Sequence, residues 1–95
     1  MPEFTPGPWA VNPNKAQVDV MPSMVPVCLL LWPTEHRSEE ETEANAHLIA
    51  AAPEMYEACK TALTVTGGSK NWDGLTHGFL VEIEKAVAKA EGRRE

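Results

Sequence analysis

Apolar and polar residues recur with two different periods along this chain, and the change from one to the other falls once, between Pro33 and Ser38. Ahead of that point, Ala16-Gln17-Val18-Asp19-Val20-Met21 alternates small or apolar side chains with polar ones, the period-two signature of a half-buried strand. Trp9-Ala10-Val11, bounded by Pro8 and by the turn-forming run Asn12-Pro13-Asn14, predicts a shorter strand before it. Pro22-Ser23 marks the next turn. The nearly wholly apolar segment from Val25 to Trp32 then predicts a third strand covered on both faces, with Pro26 near its start, where a missing N–H is tolerated best. A three-stranded antiparallel meander within residues 1–33 is the simplest arrangement.

Beyond Ser38 the period is helical. Ser38 followed three residues later by Glu41 has the capping-box pattern, and Glu39, Glu40 and Glu41 sit where the positive end of a helix dipole favours acids. Pro53 removes a hydrogen bond from a helix interior but suits a first turn, so residues 38–64 predict two helices, or one sharply kinked. Leu48, Ala52, Met55, Cys59 and Ala62 keep helical spacing across the proline, with Ile49, Tyr56 and Leu63 alongside, a stripe expected to meet the sheet. Residues 65–74, with Gly67-Gly68-Ser69, read as a flexible connection. A final helix over 75–91 carries Phe79, Ile83, Val87 and Ala90 at helical spacing and is stopped by Gly92. The expected fold is α+β in a single domain, 1–95.

Three segments together have a familiar form: Thr5-Pro6-Gly7-Pro8-Trp9, the run from Glu43 through Ala44-Asn45-Ala46-His47-Leu48-Ile49-Ala50-Ala51-Ala52-Pro53 to Glu54, and Ile83 through Ala90-Glu91-Gly92. In this order they resemble a widespread group of small tailed-phage and prophage accessory proteins. The resemblance implies a phage gene product acting in an infected bacterium, from genome regions in which many accessory genes counter host defences. It supplies no catalytic residues. Between Asn12 and Trp32 this chain departs from the group's tidier strand-turn-strand pattern through several prolines and methionines.

Composition narrows the function classes. A 95-residue chain buries a limited share of its surface, so self-association into a homo-oligomer that covers part of the alanine-rich helical surface is expected. The formal net charge of −6 opposes generic binding to phosphate backbones or anionic lipid, and favours a basic protein surface or a small ligand as partner. The only basic cluster expected is Arg93 and Arg94, ahead of Glu95. Cys28 and Cys59 are too few and too unpatterned for a disulfide scaffold, no secretory leader pattern opens the chain, and the longest apolar run, Val27 to Trp32, is six residues. A membrane span needs about 20. These features predict the reducing cytoplasm of the host cell and no membrane contact.

Candidate chemistry is sparse. Glu43 and His47 share a helix face at i,i+4, and with His77 would make a metal site, but a surface ion pair is the favoured reading and neither metal nor cofactor is expected. No serine stands in a nucleophile-elbow context, so no catalytic residue is assigned and the chain is not expected to be an enzyme. Gly67-Gly68-Ser69-Lys70 lacks the first glycine of a phosphate loop and follows no strand. The two helices around Pro53 mimic a helix-turn-helix, yet the second opens with Glu54 and Glu57 and offers only Lys60, which argues against direct DNA binding.

Two surfaces remain as binding candidates. Glu39, Glu40, Glu41 and Glu43 form an acidic face suited to a basic groove, and Lys70, Asn71 and Trp72 form a loop in which an indole is displayed beside a cation. The expected function is non-catalytic binding of a bacterial host protein, such as a CRISPR effector, as a counter-defence inhibitor. One alternative is an oligomeric sponge for a cyclic or other small nucleotide signal. Another is a structural accessory role.

Overall fold

A computed structural model describes residues 4–30 and 37–93. The fold is α+β: strands β1 (Trp9–Val11), β2 (Gln17–Val20) and β3 (Val25–Leu29) precede helices α1 (Glu39–Ala50), α2 (Ala52–Thr66) and α3 (Gly74–Ala90), with a 3-10 turn at Ser69–Asn71. Among the described residues, 4–54 form one compact unit and 55–93 another. Trp32, His36 and Arg94, together with the expected end of the meander at Pro33, lie outside the described residues.

In the first unit the strands follow one another as an antiparallel meander in the order β1-β2-β3. Trp9 stands opposite Val20 and Val11 opposite Val18, while Gln17 faces Leu29. The β1–β2 turn is built by asparagine side chains: Asn12 Oδ1 accepts from Asn14 N (3.0 Å) and Asn14 Oδ1 accepts from Ala16 N (2.9 Å). Between β2 and β3 the register slips by one residue, so that Asp19 faces Pro26 while Val18 faces Cys28. Pro26 has no N–H for the ladder, and a bulge at an outer strand is where a sheet absorbs that loss.

The expectation that the third segment is covered on both faces is corrected. Val25 and Leu29 of β3 are exposed, and it is the central strand β2 that is covered on both sides, with Val18 and Asp19 both buried. Position decides this, because β2 has a neighbour on each side and carries α1 across it, whereas β3 pairs along one edge. α1 packs against β1 and β2. Leu48, which the predicted apolar stripe would place against the sheet, is 61% exposed. The buried positions are Thr42, Ala46 and Pro53, small or compact side chains that let the helix approach the sheet closely. Thr42 satisfies its own hydroxyl by donating to Ser38 O (3.1 Å).

In the second unit α2 and α3 form a helical hairpin. α2 runs through Thr66, two residues beyond the predicted end, and Gly67 (φ 81°) closes it with its N–H on Leu63 O. α3 turns Leu80, Glu84, Val87 and Glu91 inward at i, i+4, i+7, i+11. The predicted stripe through Phe79, Ile83, Val87 and Ala90 is therefore rotated, and Phe79 and Ala90 face outward. α3 ends as a Schellman motif: Gly92, at φ 75°, donates to Lys89 O (3.1 Å) and Arg93 N donates to Ala88 O (2.8 Å).

Candidate functional site

The acidic face begins where Ser38 caps α1. Ser38 Oγ accepts from Glu41 N (3.1 Å), so the cap expected from sequence forms, and it holds the first turn in one orientation. Glu39, Glu40 and Glu41 are exposed, and none of the ion pairs among the described residues involves them. Glu43 is set apart. Its carboxylate lies 3.7 Å from Lys15 Nζ and 3.5 Å from His47 Nε2, and it is partly buried. The four acids are therefore three displayed carboxylates and one engaged in holding α1 to the β1–β2 turn.

The Trp72 loop is braced by hydrogen bonds at Ser69, Asn71 and Trp72. Ser69 donates to both oxygens of Glu84, from its N–H (3.1 Å) and its hydroxyl (2.7 Å). His77 Nδ1 donates to Ser69 O (2.9 Å), Asn71 Nδ2 donates to Gly67 O (3.1 Å), and Trp72 Nε1 donates to Thr66 O (2.9 Å). The indole thus covers a terminal carbonyl of α2 while 48% of the residue stays exposed. Lys70 is exposed beside it. The hydrogen bonds from Ser69 hold the Glu84 carboxyl below the usual carboxylate range, against a smaller opposing effect of burial.

The other end of the hairpin is clasped by Glu91. Its carboxylate accepts from Tyr56 OH, lies 3.6 Å from Lys60 Nζ and accepts from Arg93 Nη2 (2.8 Å). The Tyr56 bond is the main reason the Glu91 carboxyl is held low, and the same bond raises the Tyr56 hydroxyl. Lys60 is raised chiefly by its hydrogen bond with Tyr56.

A further surface was missed from sequence. Lys85 and Lys89 stand at i, i+4 on the outside of α3, and with Glu82, Ala86, Gly92 and Arg93 they line an open basin of about 540 Å³. The spacing of the two lysines was legible, whereas Arg93 reaches the basin only through the turn that ends the helix at Gly92. The N-terminal half of the same helix displays Leu75 (92% exposed) and Phe79 (60% exposed).

Among the described residues no three His, Cys, Asp or Glu side chains are arranged to hold a metal ion. Cys28 and Cys59 are free thiols of intermediate exposure. No helix among the described residues is long and apolar enough to cross a membrane.

A family model described as Salmonella phage P22 protein Y8K6 matches residues 1–94. The chain belongs to that family. This membership makes it a small phage protein and agrees with the provenance implied by the resemblance, while attaching no role to any of the three segments that carried it. No match is found among curated proteins or among solved structures.

Proposed function

We propose that this member of the Y8K6 family is a non-catalytic binding protein that acts in the cytoplasm of the infected bacterium. Its target in this reading is a basic surface on a host defence protein, such as a CRISPR effector, which it blocks. The observation that carries the reading is the first turn of α1: Glu39, Glu40 and Glu41 are exposed, free of ion pairs among the described residues, and held by the Ser38 cap. Three carboxylates on a capped helix start meet a cationic groove with little ordering cost, and the net charge of −6 steers the approach.

The test is a tagged pull-down from bacterial extract with the parent protein and with a variant carrying Glu39→Lys, Glu40→Lys and Glu41→Lys. One host protein enriched by the parent and lost from the variant, with binding that weakens as salt rises, is the expected result. Equal enrichment by both proteins would sink the assignment to this face.

A second reading is favoured by the Trp72 loop. A half-exposed indole whose N–H is already satisfied leaves its ring face for stacking, and Lys70 stands beside it to meet a phosphate. In that reading the protein sequesters a small nucleotide signal. Heat release of material absorbing near the nucleotide band from the parent, but not from Trp72→Ala, is its signature.

A further inference from the structure

We infer that the outer face of α3 is a self-association surface, on which a second copy of this chain packs antiparallel about a two-fold axis. The inference goes beyond the binding reading above, uses a different helix from the acidic turn, and stands or falls independently of it. One face of one helix carries both halves of a complementary pair. Its N-terminal half presents apolar knobs, Leu75 and Phe79, which are 92% and 60% exposed. Its C-terminal half, with the turn that follows it, presents the open basin lined by Glu82, Lys85, Ala86, Lys89, Gly92 and Arg93. Lysine and arginine stems cover apolar surface readily while their charged heads remain in water.

An isologous contact requires that residue i meet residue j and residue j meet residue i. Antiparallel pairing centred near the level of Glu84 satisfies this twice. Phe79 of each copy enters the basin near Lys89 and Ala90 of the other, and Leu75 lies over Gly92 and Arg93. Glu84 itself stays inward on Ser69 and takes no part. Charge selects the same direction. Glu82, which in the single chain makes only a long contact to Lys85 (3.9 Å), meets Lys85 and Lys89 of the second copy on the same flank. A parallel pairing would instead stack Lys85 and Lys89 on their own images. Antiparallel helices also place opposite dipole ends together.

The contact surface is one helix face, about 25 Å long at 1.5 Å per residue. At a helix width of about 10 Å this is on the order of 250 Å² per copy, small beside the roughly 800 Å² per partner of a standard interface, so the dimer is in reversible equilibrium with monomer.

Sedimentation velocity of the full chain over a wide concentration range tests this. The parent is expected to shift from one to two chains with rising concentration. Leu75→Glu and Phe79→Glu, at positions already largely in water, should keep the circular dichroism spectrum and melting temperature while raising the dimer dissociation constant at least tenfold. Glu82→Lys and Lys89→Glu should each weaken the dimer, and the double variant should restore it. A parent that stays monomeric at its highest soluble concentration would overturn the inference. So would a dimer untouched by Phe79→Glu, or a charge swap that fails to rescue. Flotation of the monomeric parent with phosphatidylserine vesicles, lost in Phe79→Glu, would assign the face to a membrane surface instead and overturn it too.

Discussion

Asp19 offers the sharpest test of how this fold is held. It stands on the central strand, opposite Ala10 on one side and Pro26 on the other, and is 1% exposed. Its Oδ2 accepts from Asn12 Nδ2 (2.9 Å) and its Oδ1 from Gln17 Nε2 (2.6 Å). Hydrogen bonds to a charged group contribute about 1.5–3 kcal/mol each, and removing the carboxylate also relieves its desolvation, so Asp19→Ala is expected to cost about 2–4 kcal/mol. Asp19→Asn keeps the shape but turns one acceptor into a donor facing another donor. Flipping Asn12 would break the bond its Oδ1 accepts from Asn14 N, whereas flipping Gln17 gives up only a long 3.5 Å contact with Asn14. The Asn variant should therefore rearrange at Gln17 and cost about 1–2 kcal/mol, the difference between charged and neutral hydrogen bonds.

Against a total stability of about 5–15 kcal/mol, both losses are measurable. Urea unfolding followed by circular dichroism reads them as a lower midpoint at unchanged slope, and each kcal/mol lowers the melting temperature by about 4–8 °C in a domain of this size. If Asp19→Ala lies within about 0.5 kcal/mol of the parent, the usual spread of inconsequential surface changes, the network does not hold the turn. An Asn variant less stable than the Ala variant would refute the flip at Gln17.

Other tests are independent of that network. The Glu84 and Glu91 carboxyls are held low in the folded chain, so the stability they confer is present above the unfolded carboxyl range and is lost as pH falls below about 4.3 through the folded values. Melting temperatures measured from neutral pH downward should fall over that window, and Glu84→Gln with Glu91→Gln should flatten the fall; an unchanged slope would remove both groups from the account. At exposed Gly7 an added Cβ would stand 3.3 Å from Pro53 Cβ, a few tenths of an ångström tighter than ordinary contact, so Gly7→Ala should shift stability by no more than about 1 kcal/mol, read from the urea midpoint. Met24 has φ 61° in the β2–β3 turn, and Met24→Gly should raise stability by about 0.5–1 kcal/mol in the same measurement, relieving a conformation that side chains resist.

Much of the architecture is local and was readable as such. The alternation through Ala16 to Met21, the turn residues around Asn12 and Pro22, the Ser38 cap, the break at Pro53 and the stop at Gly92 each act within a few residues of themselves. Exposure of Glu39, Glu40 and Glu41 follows from the same cap, because acids in a first turn are favoured with no partner at all. What hydrophobicity could not reveal is which face of each helix turns inward. Periodicity ranks Phe79 and Leu48 as core and both are exposed, while Glu84 and Glu91 share the inner face of α3 with Leu80 and Val87, and Thr42 and Ala46 occupy that of α1.

The reason is that a polar side chain can be covered once it has hydrogen-bond partners, and those partners come from elsewhere in the chain. Ser69 holds Glu84, Tyr56 and Arg93 hold Glu91, and Asn12 with Gln17 holds Asp19. Likewise Glu43 is engaged because the β1–β2 turn brings Lys15 to it, and Trp72 donates to Thr66 because the 3-10 turn folds the loop back. With Leu80, Glu84, Val87 and Glu91 turned inward, Leu75 and Phe79 are left in water. Local chemistry sets where the elements begin and end; the tertiary pairing of donors with acceptors sets which surface remains for a partner.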